Sequence, residues 1–267
     1  MSSPVEARRK KLEEYLAAMR SSGAPKPGAD ILEKYLRRLT LEEMERDRRA
    51  FVDWARDRHR GETVVLLGTG PTLRTLDLGA LRGFTTLGCN GIGHTFQPDY
   101  YVIIDPSVYG VHQALFDACP GTRILSSFTA GECDIRLYYV YENLVGLEPD
   151  DVYSADNSGY VQLSIAYIMG AANMVLAGYD GYPIQQRTES HSYEETQEEK
   201  DRVQYEWNGE AGRAKHDLIR EAFAYAAAKC AAEGRGLYRL TPSYLLGDLI
   251  APISWEDLMR MRGRTAR

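Results

Sequence analysis

The sequence predicts a doubly wound α/β protein, and two observations carry that expectation. From residue 63 onward, short apolar runs alternate with turn residues and helical patterns. Several of the runs are continuously apolar, as in strands buried on both faces of a parallel sheet. "TVVLLG" (63–68) is the first, followed by "FTTLGCN" (84–90), "YYVIID" (100–105), "TRILSS" (122–127) and "IRLYYVY" (135–141). "SGYVQLSIAYIMGA" (158–171) reads as a helix, with Val161, Ile165, Ile168, Met169 and Ala172 on one side. "NMVLAGYD" (173–180) is a further strand, a helix covers about 212–233, and "GLYRL" (236–240) closes the pattern before the turn at "TPS".

The first 60 residues differ. Residues 5–20 place Leu12, Tyr15, Leu16 and Met19 on one helical face, and "SSGAPKPGAD" (21–30) interrupts with two prolines and two glycines. Helical spacing resumes over 31–39. "TLEE" (40–43) is a capping box with Thr40 at N-cap, opening a helix whose stripe is Met44, Phe51, Trp54 and Ala55. The expected division is therefore a helical appendage over 1–60 and a nucleotide-binding catalytic domain over 61–267. The appendage either packs on the main domain or joins subunits into a homo-oligomer. Residues 181–208 are polar and long for a connection, which predicts a lid or flexible insertion.

Bulk properties narrow the function. The chain has 267 residues, 44% apolar and 26% charged, the composition of a globular domain. No apolar run approaches the roughly 18–20 residues that cross a bilayer, and the charged start lacks a signal peptide's apolar core. A cytoplasmic protein is expected. Residues 1–60 carry 15 Lys/Arg against 11 Asp/Glu, but the signs alternate, so a nucleic-acid surface is not indicated. Cys89, Cys119, Cys133 and Cys230 are scattered without a C-x-x-C pair, which argues against structural zinc and a disulfide framework.

In a parallel sheet, ligands lie beyond the carboxyl ends of the strands. The residues leaving those ends are Gly68-Thr69-Gly70, Asn90, Asp105, the 141–158 segment and Asp180. Glycines at 68 and 70 allow close backbone approach, and a helix after Pro71 would aim N–H groups at an anion. The turn is not a Walker loop, because no Gly-Lys-Ser/Thr follows. It is not the full dinucleotide fingerprint either, since Leu73 stands at the third glycine. Asn90 sits where a dinucleotide enzyme places an acid; an amide suits a pyrimidine edge or a ribose.

His216 shares a stripe with Ile219, Phe223, Ala226 and Cys230 near the start of its helix. The macrodipole there disfavours the imidazolium and would keep the ring neutral, a state suited to a general base. His191, in the lid, is the second histidine candidate; His59, His94 and His112 have no supporting context. Tyr138, Tyr139, Tyr141 and Tyr153 crowd ahead of the 158–171 helix, where a hydroxyl would donate to a phosphate leaving group. Alternation turns Tyr139 and Tyr141 to one face. No spacing demands a metal.

Together, "VVLLGTGPTLRTLDLGAL…TTLGCN", "NSGYVQLSIAYIMGAANMVLAGYD" and "HDLIREAFAYAAAKCAAEGRGLYRLTPSYLLGDLI" resemble the bacterial sialyltransferases of glycosyltransferase family 42. The likeness follows chain order over roughly 63–252, and Thr69 replaces the asparagine of that family's glycine turn. A similar sheet and turn recur in the 6-hydroxymethylpterin diphosphokinase-like family. The first resemblance implies a Rossmann-like sheet and metal-independent, inverting transfer from a CMP-activated sugar, with the nucleotide-sugar as co-substrate and no further cofactor. It implies that Gly68, Thr69, Gly70, Thr72 and Asn90 hold the nucleotide, with Asp105 and Asp180 at neighbouring strand exits and Ser158 and Gly159 near the phosphate. His216 would deprotonate an acceptor hydroxyl, while Tyr141 and Tyr153 support the departing phosphate. The acceptor would be a glycan, a small molecule or a modified nucleobase. Two alternatives stand beside it: a Mg²⁺-dependent diphosphokinase of a hydroxymethylated heterocycle, with Asp105 and Asp180 on the metal, and a non-enzymatic nucleotide-binding scaffold.

Overall fold

The computed structural model describes residues 10, 13, 17, 40–139, 145–181, 191–197, 199–200 and 209–262. The helices expected over 5–20 and 31–39 lie outside these apart from residues 10, 13 and 17, and Tyr141 lies outside them as well. Eight strands form one sheet: β1 (Thr63–Leu67), β2 (Thr85–Cys89), β3 (Tyr100–Ile103), β4 (Thr122–Ser126), β5 (Ile135–Leu137), β6 (Asn173–Ala177), β7 (Gly236–Arg239) and β8 (Ala251–Pro252). Their spatial order is β5-β4-β3-β2-β1-β6-β7-β8, and every neighbouring pair is parallel. The chain winds outward from β1 to β5, then returns to the other side of β1. The topological switch point is therefore the β1/β6 boundary, and the α/β doubly wound architecture is as the sequence predicts.

Both faces of the sheet are buried, and the period of two divides its side chains between them. Val64, Leu66, Leu87, Val102, Ile124, Met174 and Leu176 point to one face. Val65, Leu67, Tyr101, Ile103, Leu125, Val175 and Ala177 point to the other. Helices α1 (Leu41–Ala55), α3 (Ser158–Ile168) and α4 (Gly209–Ala232) supply Met44, Phe51, Tyr160, Val161, Ile219 and Phe223 to the first face. Helices α2 (Pro106–Asp117) and α5 (Trp255–Met261) supply Val108, Phe116 and Leu258 to the second. So α1, although within the expected appendage, contributes to the main core.

The Thr40 capping box forms in both directions: Glu43 N–H donates to Thr40 Oγ1 at 3.1 Å, and Thr40 N–H to Glu43 Oε2 at 2.8 Å. Arg48 of α1 and Arg56, its C-cap, then grip the segment that leads into α3. Arg48 donates to the Asp150 carbonyl at 2.7 Å, and Arg56 pairs with the Asp150 carboxylate at 2.6 Å.

Four elements differ from the sequence reading. The helix expected after the glycine turn is two 3₁₀ segments, Pro71–Thr75 and Leu78–Gly83. Asp77 caps the second by accepting from Gly79 N–H, which ends the first before an α-helix can propagate. Helix α4 begins at Gly209, ahead of the expected start. Strand β8 and helix α5 were not anticipated; β8 has two residues and exists only by pairing with β7.

Candidate functional site at the sheet switch point

The loops after β1 and β6 are locked together at the switch point. Gly68 N–H donates to the Ala177 carbonyl and Gly70 N–H to the Gly178 carbonyl, both at 2.9 Å. A Cβ at Gly68 would collide with the Gly178 carbonyl, and one at Gly70 with the Asp180 carboxylate. Thr72 N–H donates to Asp180 Oδ2 at 2.8 Å and the Thr72 hydroxyl donates to Oδ1. The N–H groups of Gly68, Gly70 and Thr72 thus point at β6 and its loop. Asp180 is 3% exposed and acts as the brace of this turn.

Gln162 of α3 ties the same corner from beneath. It is fully buried, donates from Nε2 to the Leu67 carbonyl at 3.1 Å, and accepts from the Tyr179 hydroxyl. Tyr179 also reaches the Gly159 carbonyl at 3.2 Å, and burial pushes its hydroxyl pKa well up. Sequence reasoning missed both residues. The available signal was Gln162 itself, a polar residue in an otherwise apolar helical run.

Asn90 follows β2 with φ +53°, in the left-handed region that a non-glycine residue enters at a cost. Its side-chain oxygen is buried and has no hydrogen-bond partner among the described residues. A buried amide oxygen left so is an acceptor site awaiting a donor. The Asn90 carbonyl, in contrast, accepts from the Tyr101 hydroxyl.

At the start of α3, Ala155 and Asp156 both take left-handed φ values (+43° and +52°), and Asn157 caps the helix by accepting from Tyr160 N–H. This orientation puts Ser158 and Gly159 in the first turn. Lys215 of α4 pairs with Asp156 at 3.4 Å, which brings His216 to the neighbourhood of that turn. The crossover geometry agrees: α4 links the parallel strands β6 and β7, so its first turns lie at the carboxyl end of the sheet. The stripe Ile219–Phe223–Ala226–Cys230 is buried as expected, and the Phe223 ring meets Tyr160 edge-on at 5.2 Å. His216 is half-buried, with Nε2 fully covered. One expectation is corrected. Because α4 starts at Gly209, His216 stands in its third turn, where the macrodipole has faded and no longer accounts for a neutral ring.

The remaining candidates have local partners. Asp105 is the N-cap of α2 and accepts from Ser107 N–H and Oγ, both at 2.7 Å. Tyr153 is half-buried; its N–H donates to Ser164 Oγ at 3.1 Å, and its ring fills the space over Gly146. Among the described residues, no three His, Cys, Asp or Glu side chains are arranged to hold a metal. The cysteines are free thiols, and burial raises Cys89 to about 12 and Cys230 to about 11, so neither is a thiolate nucleophile.

The described residues of 191–200 pack against this site. Ser192 N–H donates to the Thr69 carbonyl at 2.7 Å, and Arg74 donates to the carbonyls of His191 and Ser192, both at 3.1 Å. Tyr193 covers Gly91, where a Cβ would strike its ring. A cavity of about 380 Å³ lies at the other end of the sheet, beside the amino ends of β1, β2 and β3. There His59 bridges Glu62 (2.9 Å) and the Tyr100 hydroxyl (2.6 Å), a network that fastens the chain entering β1.

The fold defines a doubly wound α/β protein whose β1 and β6 loops meet at its switch point. No protein-family model matches the chain, and no curated protein matches it in sequence. Among solved structures it is similar to the sialyltransferase CstII from Campylobacter jejuni in complex with a substrate analogue, cytidine-5'-monophosphate. The two are 15% identical, the match covers 72% of this chain and 85% of the other, and the TM-score is 0.44. No helix among the described residues is long and apolar enough to cross a membrane.

Proposed function

We propose that the chain is a glycosyltransferase that takes a sugar from a nucleotide-activated donor, a CMP-sugar by its sequence motifs, and transfers it to an acceptor hydroxyl with inversion. The observation that carries this reading is Asn90: a strained residue at a strand exit with a buried, unpartnered amide oxygen beside the glycine turn. That oxygen accepts from an exocyclic amine or a ribose hydroxyl, and the amide nitrogen donates back.

In this reading Gly68, Thr69, Gly70 and Thr72 form the wall against which the nucleoside rests, with Asp180 fixing the wall. Ser158 and Gly159 face the phosphate from the first turn of α3. His216 takes the acceptor hydroxyl proton as the new C–O bond forms at the anomeric carbon, and the bond to the phosphate oxygen breaks, releasing the nucleoside monophosphate. Tyr141 and Tyr153 donate to that leaving phosphate. No metal enters the scheme. The engagement of Asp105 and Asp180 with separate backbone turns favours it over a Mg²⁺-dependent diphosphokinase, which needs such carboxylates on the cation.

Thermal-shift measurements with CMP, UMP, GDP and ATP, each with and without Mg²⁺, test the reading. Stabilisation by CMP or UMP without metal is expected, on the order of 2–3 kcal/mol at a hundredfold excess over Kd. A shift seen only with ATP and Mg²⁺ would overturn it in favour of the kinase. Replacement of His216 by Ala is expected to abolish transfer and leave CMP stabilisation intact.

A further inference from the structure

Three of the five histidines, which no sequence spacing connects, converge on Tyr193. The Tyr193 ring is stacked between His94 (centroids 4.5 Å, planes 23° apart) and His191 (4.9 Å, 21°), and His112 meets it edge-on at 5.7 Å. Beneath the stack, the Tyr193 hydroxyl donates to Glu199 Oε1 at 3.0 Å, and His112 Nε2 lies 3.2 Å from the same oxygen. His112 and Glu199 side chains are only 2% and 3% exposed. A histidine and a carboxylate from elements 87 residues apart thus meet in a nearly dry environment.

Residues 191–197 and 199–200 form a strap whose far end is a second capping box. Thr196 N–H and hydroxyl donate to Glu199 Oε2 at 2.8 and 2.9 Å, and Glu199 N–H donates back to Thr196 Oγ1 at 3.2 Å. One carboxylate therefore does two tasks: Oε2 starts the helical turn, and Oε1 reaches across to α2. The near end of the strap lies over the exits of β1 and β2 through Thr69, Arg74 and Gly91, as described above.

We propose that His112, Tyr193 and Glu199 form a protonation-sensitive clasp that holds the strap closed over the exits of β1 and β2. That the clasp thereby governs nucleotide entry rests on the glycosyltransferase reading; the clasp itself does not. The groups facing it are His112 from α2, His94 from the turn after β2, Arg74 from the turn after β1, and His191, Tyr193, Glu195 and Glu199 from the strap. His191 has its own partner in Glu195, at 2.6 Å. Burial works against the Glu199 charge, but the Thr196 N–H and hydroxyl, the Tyr193 hydroxyl and His112 outweigh it and hold its carboxyl below the ordinary range. The carboxylate end of the clasp therefore persists into acid, and is lost only as pH falls through that depressed value. The imidazole end is lost in the opposite direction: once the His112 ring gives up its proton, the ion pair becomes a neutral ring beside a carboxylate. The strap is held most firmly in mildly acidic solution and loosens towards pH 8.

Hydrogen–deuterium exchange of the full chain, corrected for intrinsic rates, reads the clasp at the Ser192 amide and the rest of the strap. Wild-type protection there is expected to fall severalfold between pH 5.5 and 8, while β1 and β6 remain protected. Glu199→Gln and His112→Gln should each remove the pH dependence and leave the strap exchanging rapidly at both values. Unchanged strap protection in both variants, or a wild-type strap indifferent to pH, would overturn the clasp. So would loss of protection across β1 and β6 in both variants, since the pair would then support the whole fold. Addition of CMP separates the two readings. If CMP fails to bind the wild type while the strap responds as expected, the glycosyltransferase reading fails and the clasp stands.

Discussion

Thr72 and Asp180 are joined across 108 residues of chain, with the Thr72 N–H at 2.8 Å from Asp180 Oδ2 and its hydroxyl on Oδ1. The contact closes the β1 and β6 loops over the switch point, and it makes the carboxylate a structural acceptor. Asp180→Ala removes a charge-assisted acceptor from two donors in a buried corner. A loss of about 2–4 kcal/mol is expected in urea unfolding. Thr72→Val keeps the backbone donor and should lose about half as much.

Two glycine substitutions should move stability in opposite directions. Gly68→Ala drives a methyl group into the Gly178 carbonyl, a backbone atom that cannot turn aside. A cost of about 1–3 kcal/mol is expected from such overpacking. Gly110 lies within α2, exposed, with nothing within 4 Å of an added Cβ. Gly110→Ala should stabilise by about 0.5–1 kcal/mol through helix propensity. Chemical denaturation of the two variants checks both signs in one experiment.

The contrast between these glycines shows what the sequence made legible. Strands β1, β3 and β6 were readable because strands buried on both faces must be apolar throughout, and Thr40 was readable because a capping box is local. His216 could be placed on a buried stripe from spacing alone, but the start of α4 could not, since the apolar stripe that marks the helix begins only at Ile219. The glycine turn was recognisable; that its donors face Gly178 and Asp180 depends on which strand lies beside β1, a matter of sheet order. The Thr196–Glu199 box was present in "TQEE" and was obscured by the polarity of its surroundings. The meeting of His94, His112 and His191 had no local signal at all.

Gln162 offers a test by compensation. Gln162→Leu fits the volume but leaves the Leu67 carbonyl facing a hydrocarbon and the Tyr179 hydroxyl with the Gly159 carbonyl alone. The single variant is expected to lose about 2–3 kcal/mol, the cost of stranding buried polar groups. Tyr179→Phe removes one of them, so the double variant should be more stable than the sum of the two singles implies. A thermodynamic cycle with a coupling of about 1 kcal/mol or more checks the network; additive losses would show that Gln162 and Tyr179 act separately.

Acid stability should report on α1. Hydrogen bonding from Arg48 draws the Glu45 carboxyl down to about 2 from 4.5, helped by Arg49 and opposed by partial burial. The Arg48–Glu45 pair, at 2.7 Å with side chains 16% and 21% exposed, is sheltered enough to matter, whereas Arg49 is 71% exposed and mostly screened. A depressed carboxyl contributes stability that is complete above its unfolded value and is lost as pH falls through the folded one. For Glu45 the window runs from about pH 4.5 down to about 2, with an upper bound of about 3 kcal/mol from the size of the shift. Glu45→Gln should therefore lower stability at pH 7 and make little difference at pH 2. Because Arg48 also reaches Asp150, the freed guanidinium keeps one anchor, and the loss at pH 7 should fall well short of the bound. Urea titrations of the two proteins across that range settle the matter: parallel curves at all pH values would remove Glu45 from the acid transition.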